Sequence, residues 1–201
     1  MTSAVDELLD LGGSPRRADA RRNVERLVAA ARDALAEDGL DTTTREVARR
    51  AGVGLGTLYR QVPSLDALLE AILLDSIAAM TAHAVRALRN ADPWQAFAEF
   101  AETFVQLRAT SCGLHAALGG DRDDILNAEI TQLRQAIHDL VRRTQQAGAL
   151  RGDIDWRDIV FALASAIPAD HTVGLPARPG QWKHNLRIIL DGLRPPDARR
   201  P

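Results

Sequence analysis

A short stretch between residues 42 and 61 carries the side chains best suited to bind a nucleic acid. Hydroxyl, phenol and guanidinium groups form hydrogen bonds with phosphate oxygens and with the edges of bases. The glycine and leucine positions among them would form a turn and the start of a helix. We predict a DNA-binding surface that consists of Thr43, Thr44, Arg45, Gly54, Leu55, Gly56, Thr57, Tyr59 and Arg60.

Two short helices joined by a glycine-bearing turn are predicted to position these residues. Thr43 and Glu46 form a capping-box pattern, in which each side chain bonds a backbone N–H of the other residue, so the first helix starts there. Gly52 follows where helices commonly end in the left-handed conformation. The second helix, about residues 55–61, would bury Leu58 and leave its polar neighbours free. Neither helix is long enough to be stable alone, so both must lie on a third helix, as in a helix-turn-helix. Two short helices around a glycine turn also occur as ordinary structural corners.

The identity of the residues is more specific than their spacing. The informative positions are Thr43, Val47, Ala48, Ala51, Gly52, Val53, Gly56, Thr57, Leu58, Tyr59, Pro63, Ser64, Ala67, Leu68 and Leu69. Over residues 21–74 the sequence resembles the N-terminal signature of the TetR family of transcriptional regulators. The resemblance implies repression that a small ligand relieves. Relatives usually carry an aromatic residue where this chain has Val62, and a phosphate-binding lysine where it has Leu65.

The composition indicates an all-α protein. Of its 201 residues 46% are hydrophobic, which is ample for a buried core. Apolar residues recur at spacings of three and four and no stretch alternates for the length of a strand, so we expect no β-sheet. The longest uncharged apolar run, near residues 161–169, is too short to span a membrane. No signal segment opens the chain. A single cysteine cannot form an internal disulfide, which suits a reducing compartment. We therefore expect a cytoplasmic protein with no membrane partner.

Basic residues are concentrated at the predicted DNA-binding end. The net charge of the chain is −2, but residues 16–62 hold ten arginines against seven acids. Arg16, Arg17 and Arg21 lie around the start of the first long helix, where cations oppose the helix dipole, so helix stability does not explain them. An arm that grips phosphates and a solubilising cluster are both open interpretations.

The second part of the chain is predicted to bind a small effector. A long helix from Ser64 to about Asn90 is followed by a helix with an aromatic stripe, which fits either plain core packing or a ligand-facing wall. Because few acids or amines point inward, we expect an apolar or weakly polar effector. The candidate contacts are Met80, His83, Trp94, Phe97, Phe104, Cys112 and His115.

The last two helices are predicted to form a dimer interface. Both carry apolar seams so near the chain end that no later segment covers them, and in the TetR family the last two helices pair between subunits. Two helices from each chain would make a four-helix bundle, and packing inside one chain is the alternative. We expect these seams to be exposed in a monomer. Their residues are Trp156, Val160, Leu163, Ile167, Trp182, Leu186, Ile189 and Leu193.

The sequence offers no catalytic constellation. Its five histidines are scattered, and Cys112 with His115 is half a metal site at best. The glycines of the turn do not continue as a nucleotide-binding loop, and no strand precedes them. We predict no enzyme activity, no metal and no cofactor.

These observations predict a homodimeric transcriptional regulator that represses by binding a two-fold DNA operator and is released by a small-molecule effector. Residues 1–15 would be a flexible tail, residues 16–62 the helix-turn-helix DNA-binding domain, and residues 63–201 the effector-binding and dimerisation domain. The alternative is a helical small-molecule-binding dimer that has lost specific DNA binding, for which Val62 and Leu65 are the reason.

Overall fold

The structure, a computed structural model, describes residues 4–12, 17–38, 42–110, 124–169 and 171–196. Most of these residues are helical and the strands are only two residues long, which confirms the predicted all-α class. The elements of the described chain are α1 (Ala4–Gly12), α2 (Arg17–Asp38), α3 (Thr44–Ala51), α4 (Leu55–Gln61), α5 (Leu65–Ala87), α6 (Pro93–Thr110), α7 (Asp124–Gln146), α8 (Trp156–Ala164), β1 (His171–Thr172), β2 (Leu175–Pro176) and α9 (Gln181–Leu193).

The first of two compact units, Met1–Ala78 with Thr110–Glu129, contains the predicted DNA-binding helices. Helices α2, α3 and α4 contact one another, and each short helix buries its apolar face in the core that they share. The fully buried residues of this core include Leu8, Val24, Leu27, Ala31, Ala34, Val47, Leu58 and Leu68.

The N-terminal segment forms a helix where the sequence predicts a flexible tail. Helix α1 packs against α2 and α4, and its Ala4 and Leu8 are buried in the core of the first unit. A helix of nine residues is marginal by itself, so its sequence alone gives a weak signal. Its four-residue apolar spacing supplies a face that becomes stable only when α2 and α4 cover it.

The second compact unit comprises Ala79–Ala109 with Ile130–Pro201. Within it, Arg143 of α7 donates hydrogen bonds to the carbonyls of Ala87 and Asn90, at 3.2 and 2.5 Å. These bonds connect α7 to backbone carbonyl groups in and just after the last turn of α5. The buried Thr144 donates to the carbonyl of Leu140 at 2.8 Å.

Of the eight residues predicted for the dimer interface, three face inward, and the other five are half-buried, namely Trp156, Val160, Ile167, Trp182 and Ile189. Leu163, Leu186 and Leu193 are buried in the single chain, with only 4% of Leu186 exposed, so the expectation of exposed seams is wrong for these residues. On α9 the seam faces α6 across an open groove of about 280 Å³. Helix periodicity identifies an apolar stripe but does not tell which neighbour covers it. The groove is lined by Gln95, Ala98, Glu99, Glu102, Trp182, Lys183, Leu186, Arg187 and Leu190.

A small β-hairpin between α8 and α9 was not expected from the sequence. His171 pairs with Pro176 and Thr172 with Leu175 in antiparallel register. The two-residue turn between them, Val173-Gly174, has φ values of +43° and +80°, as a type I′ turn requires. Two-residue strands are too short to show alternation, which is why the pattern gave no sign of them.

Helix α5 is the one described helix that is long and apolar enough to cross a membrane, with a window of mean hydropathy 1.5. The longest uncharged apolar run in the sequence is a different and shorter one, near residues 161–169. The core helix of a folded domain passes the same test, and the apolar stripe of α5 is buried in this chain. Its buried residues include Leu68, Ile72, Ile77, Met80 and Ala84.

Candidate nucleic-acid interface

Both ends of α3 are fixed by the residues that the sequence indicates. Thr43 has an extended backbone (φ −111°, ψ 151°), and its hydroxyl oxygen accepts the backbone N–H of Glu46 at 3.3 Å. Gly52 has a φ of +64°, and the N–H of Val53 donates to the carbonyl of Ala48 at 3.0 Å, which closes the helix. The turn to α4 therefore begins where a left-handed residue is needed.

Glu46 does not complete the predicted capping box. Its carboxylate binds Arg49, with Nε to Oε2 at 2.8 Å, and also Arg50, with Nε to Oε1 at 2.6 Å. Arg50 also reaches Glu37 of α2 at 2.8 Å. The hydrogen bonds from Arg49 and Arg50 lower the pKa of Glu46 to about 2. The reciprocal half of the box is wrong because two arginines one turn further on compete for the same carboxylate.

Acid is expected to remove the contribution of Glu46 to stability. Because its pKa falls from 4.5 to about 2 on folding, this contribution is complete above pH 4.5 and is lost as the pH falls toward 2. The free energy of unfolding of Glu46→Gln is therefore expected to lie below that of the wild type at pH 7, and to approach it at pH 3. Urea unfolding of both proteins at the two pH values checks this, and an equal difference at both would contradict it.

Helix α4 presents a polar face to solvent. Leu58 and Gln61 are buried, whereas Tyr59 is 56% exposed and Arg60 is exposed. Arg60 donates a hydrogen bond to the hydroxyl oxygen of Thr57 at 3.2 Å, so both lie on one side of the helix. Tyr59 therefore does not belong to the core, and its ring and hydroxyl are accessible.

The remaining predicted DNA contacts are also accessible to different degrees. Thr44 is half-buried, while Arg45, Gly54, Leu55 and Gly56 are exposed. Arg45 lies in the first turn of α3 and forms no ion pair within the described residues, so its charge is available to a phosphate.

Gly56 has open space around it. A Cβ built at this position would meet nothing within 4 Å, so packing inside the protein does not require glycine here. Gly56→Ala is expected to stabilise the free protein by about 0.5–1 kcal/mol, since alanine is the better helix former. It is also expected to weaken DNA binding, because the added methyl group keeps α4 further from the DNA. Thermal unfolding and DNA titration measure the two effects. Tighter or unchanged binding to DNA would show that the backbone at Gly56 does not lie close to the DNA.

The predicted arginine arm is only partly described. Arg16 lies outside the described residues, as does the side chain of Arg17, the first residue of α2. Arg21 binds Asp6 of α1 at 2.9 Å and Glu25 at 3.2 Å. A phosphate would have to compete with these two carboxylates for its guanidinium group.

The two departures from the family pattern are both apolar residues that contribute to the first unit. Val62 is buried, and Leu65 is partly buried and packs against the core. At these positions the chain has side chains that support α4 and α5 from within.

The seven predicted effector contacts differ in exposure. Met80, Phe97 and Phe104 are buried. His83 and Trp94 are half-buried, and Cys112 and His115 lie outside the described residues. Within the part of the chain that the structure describes, no group of three His, Cys, Asp or Glu side chains is placed to hold a metal ion.

A row of aromatic and cationic groups follows one face of α6. His83 of α5 meets Phe100 edge-on at 6.1 Å, and Phe100 stacks on Phe104 at 6.1 Å. The guanidinium of Arg108 lies 5.8 Å from the centre of the Phe104 ring. Burial lowers the pKa of Arg108 and, together with the charge of Arg86, that of His83. Arg108 was missed in the sequence, although its position four residues after Phe104 places it on the same helix face.

Two sequence profiles match the chain. One, described as "Bacterial regulatory proteins, tetR family", matches residues 27–72, which include α3 and α4. The other, "Transcriptional regulator SbtR-like, C-terminal domain", matches residues 92–195, just over half of the chain. The chain belongs to the TetR family of transcriptional regulators. In this TetR-family regulator, α3 and α4 are the helix-turn-helix.

Individual relatives agree with this assignment. The regulator is 28% identical over 181 residues to the class D tetracycline repressor protein of Escherichia coli, a match that covers 85% of this chain and 78% of that repressor. It is 33% identical to the TetR transcription regulatory protein from Mycobacterium vanbaalenii, with a TM-score of 0.62 over 90% of this chain and 100% of that one.

A third relative shares the fold. The TetR-family protein CprB from Streptomyces coelicolor, whose structure was solved with its biological operator sequence, is 20% identical with a TM-score of 0.65, over 90% of this chain and 92% of that one. Together with the profiles, these relatives confirm the predicted family and the function as a repressor-type DNA-binding transcriptional regulator.

Proposed function

We propose that this regulator binds a two-fold DNA operator as a homodimer, that the α4 helices enter successive major grooves, and that a small-molecule effector releases it. The observation that carries the proposal is the accessible face of α4, where Tyr59 and Arg60 project from a helix that Leu58 fixes to the core. The operator complex of CprB is consistent with this role. The protein would act in the cytoplasm, where its operator lies.

A DNA-protection assay on the region upstream of its own gene tests this function. A two-fold protected sequence is expected, with half-site centres one helical turn apart, about 34–36 Å, or a multiple of it. Protection of a single half-site by a monomer would contradict the proposed operator.

The two parts of the chain would divide these tasks, with residues 16–62 binding DNA and residues 63–201 binding the effector and the second subunit. Dimerisation is supported by apolar side chains on the outward side of the last two helices. Phe161 of α8 and Ile188 of α9 are 76% and 69% exposed in the single chain. Burying side chains of this size against a partner contributes about 1.5–3 kcal/mol each. We name Phe161 and Ile188 the outer face and propose it as the centre of the dimer interface.

The effector is proposed to be an apolar molecule with one acidic group. The row along α6 supports this class, since Phe100 and Phe104 offer apolar contacts and Arg108 places a partly desolvated cation at one end. A cation in such a place gains from a carboxylate more than a solvated one does. This refines the apolar or weakly polar effector expected from the sequence, in which few acids or amines point inward.

Arg108→Met tests the acidic group. Carboxylic acids of medium chain length are expected to release the operator at about 10- to 100-fold lower concentration than the matching alcohols, as a charge-assisted hydrogen bond of about 1.5–3 kcal/mol implies. The variant is expected to lose this difference while it keeps its affinity for DNA. Equal responses of the wild type to acid and alcohol would contradict the role of Arg108.

A further inference from the structure

Helix α1 precedes the matched DNA-binding region, which begins at residue 27. It nevertheless packs against both α2 and α4. Leu8 has no exposed surface and belongs to the same core as Leu58 of α4. Because this apolar contact holds α1 on the DNA-binding module, α1 is present whenever that module meets DNA.

An ion pair links α1 to a cation of α2. The Asp6 carboxylate accepts a hydrogen bond from Arg21 at 2.9 Å, and Glu25, one turn further along α2, accepts another at 3.2 Å. Asp6, and to a smaller extent Glu25, raise the pKa of Arg21. The side chains of Arg21 and Asp6 are each about half exposed, so solvent and other ligands can reach the pair.

A phosphate is a suitable competitor for Arg21. The planar guanidinium group matches two phosphate oxygens at once, and its binding to DNA also releases condensed counterions. To bind a phosphate, Arg21 would first have to leave the carboxylates of Asp6 and Glu25. The carboxylate of Asp6 therefore binds a guanidinium group that could otherwise contact a DNA phosphate.

We propose that α1 restrains DNA binding, with Asp6 as the residue that keeps Arg21 from the phosphate backbone. Leu8 holds α1 on the DNA-binding module, so the Asp6 carboxylate stays next to Arg21. The segment Ala4–Gly12 contains three acids and no basic residue, so its charge opposes the approach of a phosphate backbone as well. This inference rests on the DNA-binding activity of the chain and needs neither the effector nor the operator sequence.

Asp6→Asn tests the restraint, since it removes the charge at a half-exposed position and leaves the core intact. Wild type and variant are titrated with one random duplex and one upstream duplex of equal length at several salt concentrations. The variant is expected to bind both duplexes more tightly, on the order of tenfold per freed contact at 0.1 M salt, with a log–log salt slope steeper by about 0.9 per bound chain.

The matched variants are Arg21→Ala and the double variant Asp6→Asn/Arg21→Ala. In the alanine background Asp6→Asn is expected to leave the slope unchanged, because no cation remains to be released. If Asp6→Asn leaves the salt slope of the chain with Arg21 unchanged, the proposal is overturned. It is also overturned if Asp6→Asn steepens the slope equally with Arg21 and with Arg21→Ala. Melting temperatures within a few degrees of the wild type show that α1 stays docked. If Asp6→Asn undocks α1, Asp6→Ala is measured in its place. A salt slope of that variant no steeper than that of the wild type again overturns the proposal.

Discussion

Replacing both Phe161 and Ile188 with glutamate is expected to convert the dimer to monomers and to abolish operator binding. Both side chains are largely exposed in the single chain, so the substitution leaves its core intact. In a dimer the same positions would bury four carboxylates in an apolar contact, at a cost of several kcal/mol for each unpaired charge. Sedimentation at micromolar concentration and DNA titration measure the two effects.

Val85→Glu is the matched control for this experiment. Val85 on α5 is also an exposed apolar residue, at 41%, but it lies outside α8 and α9, so its replacement is expected to leave the sedimentation unchanged. A double variant that still sediments as a dimer would show that the outer face is not the interface. Leu186→Glu would not test the interface, because Leu186 is buried in its own chain and a charge there would unfold it.

Tyr59→Ala is expected to weaken operator binding by about 1–3 kcal/mol for each half-site, the range of a good contact to a base edge. The side chain is more than half exposed, so the melting temperature and the helical circular dichroism are expected to stay close to those of the wild type. Electrophoretic or fluorescence titration of one duplex gives the affinity.

Tyr59→Phe separates the hydroxyl group from the ring. If the hydroxyl donates a hydrogen bond to the DNA, the phenylalanine variant loses most of the affinity that the alanine variant loses. A loss of affinity in Tyr59→Ala that only follows a loss of folded protein would contradict a direct contact.

The helix-turn-helix could be predicted closely because its signals are local. Thr43 and Gly52 act on backbone groups within five residues of themselves, so the start and end of α3 depend on the sequence of α3 alone. The partner of the Glu46 carboxylate was harder to predict, because Arg49, Arg50 and the capped backbone N–H are all within its reach. The local pattern does not rank them.

The features that the sequence did not predict depend on distant neighbours. Leu8 and Leu186 each belong to a clear apolar stripe, but only the fold decides that α2 and α4 cover one and that α6 faces the other. The ion pair between Arg21 and Asp6 joins residues 15 positions apart through the docking of α1, which no periodicity indicates. The candidate surface on α4 was therefore predictable, whereas the burial of Leu186 and the environment of Arg21 were not.

The exposed positions of Phe161 and Ile188 have a consequence for the amount of the protein in a cell. If two chains cover the outer face only by pairing, association and folding are linked, and the free energy of unfolding rises with the concentration of the chain itself. Newly made chains at low copy number would then be the most open to proteolysis and to wrong pairing, while chains above the dissociation constant protect one another. The abundance of the repressor would thus have a lower threshold that its own apolar surface sets.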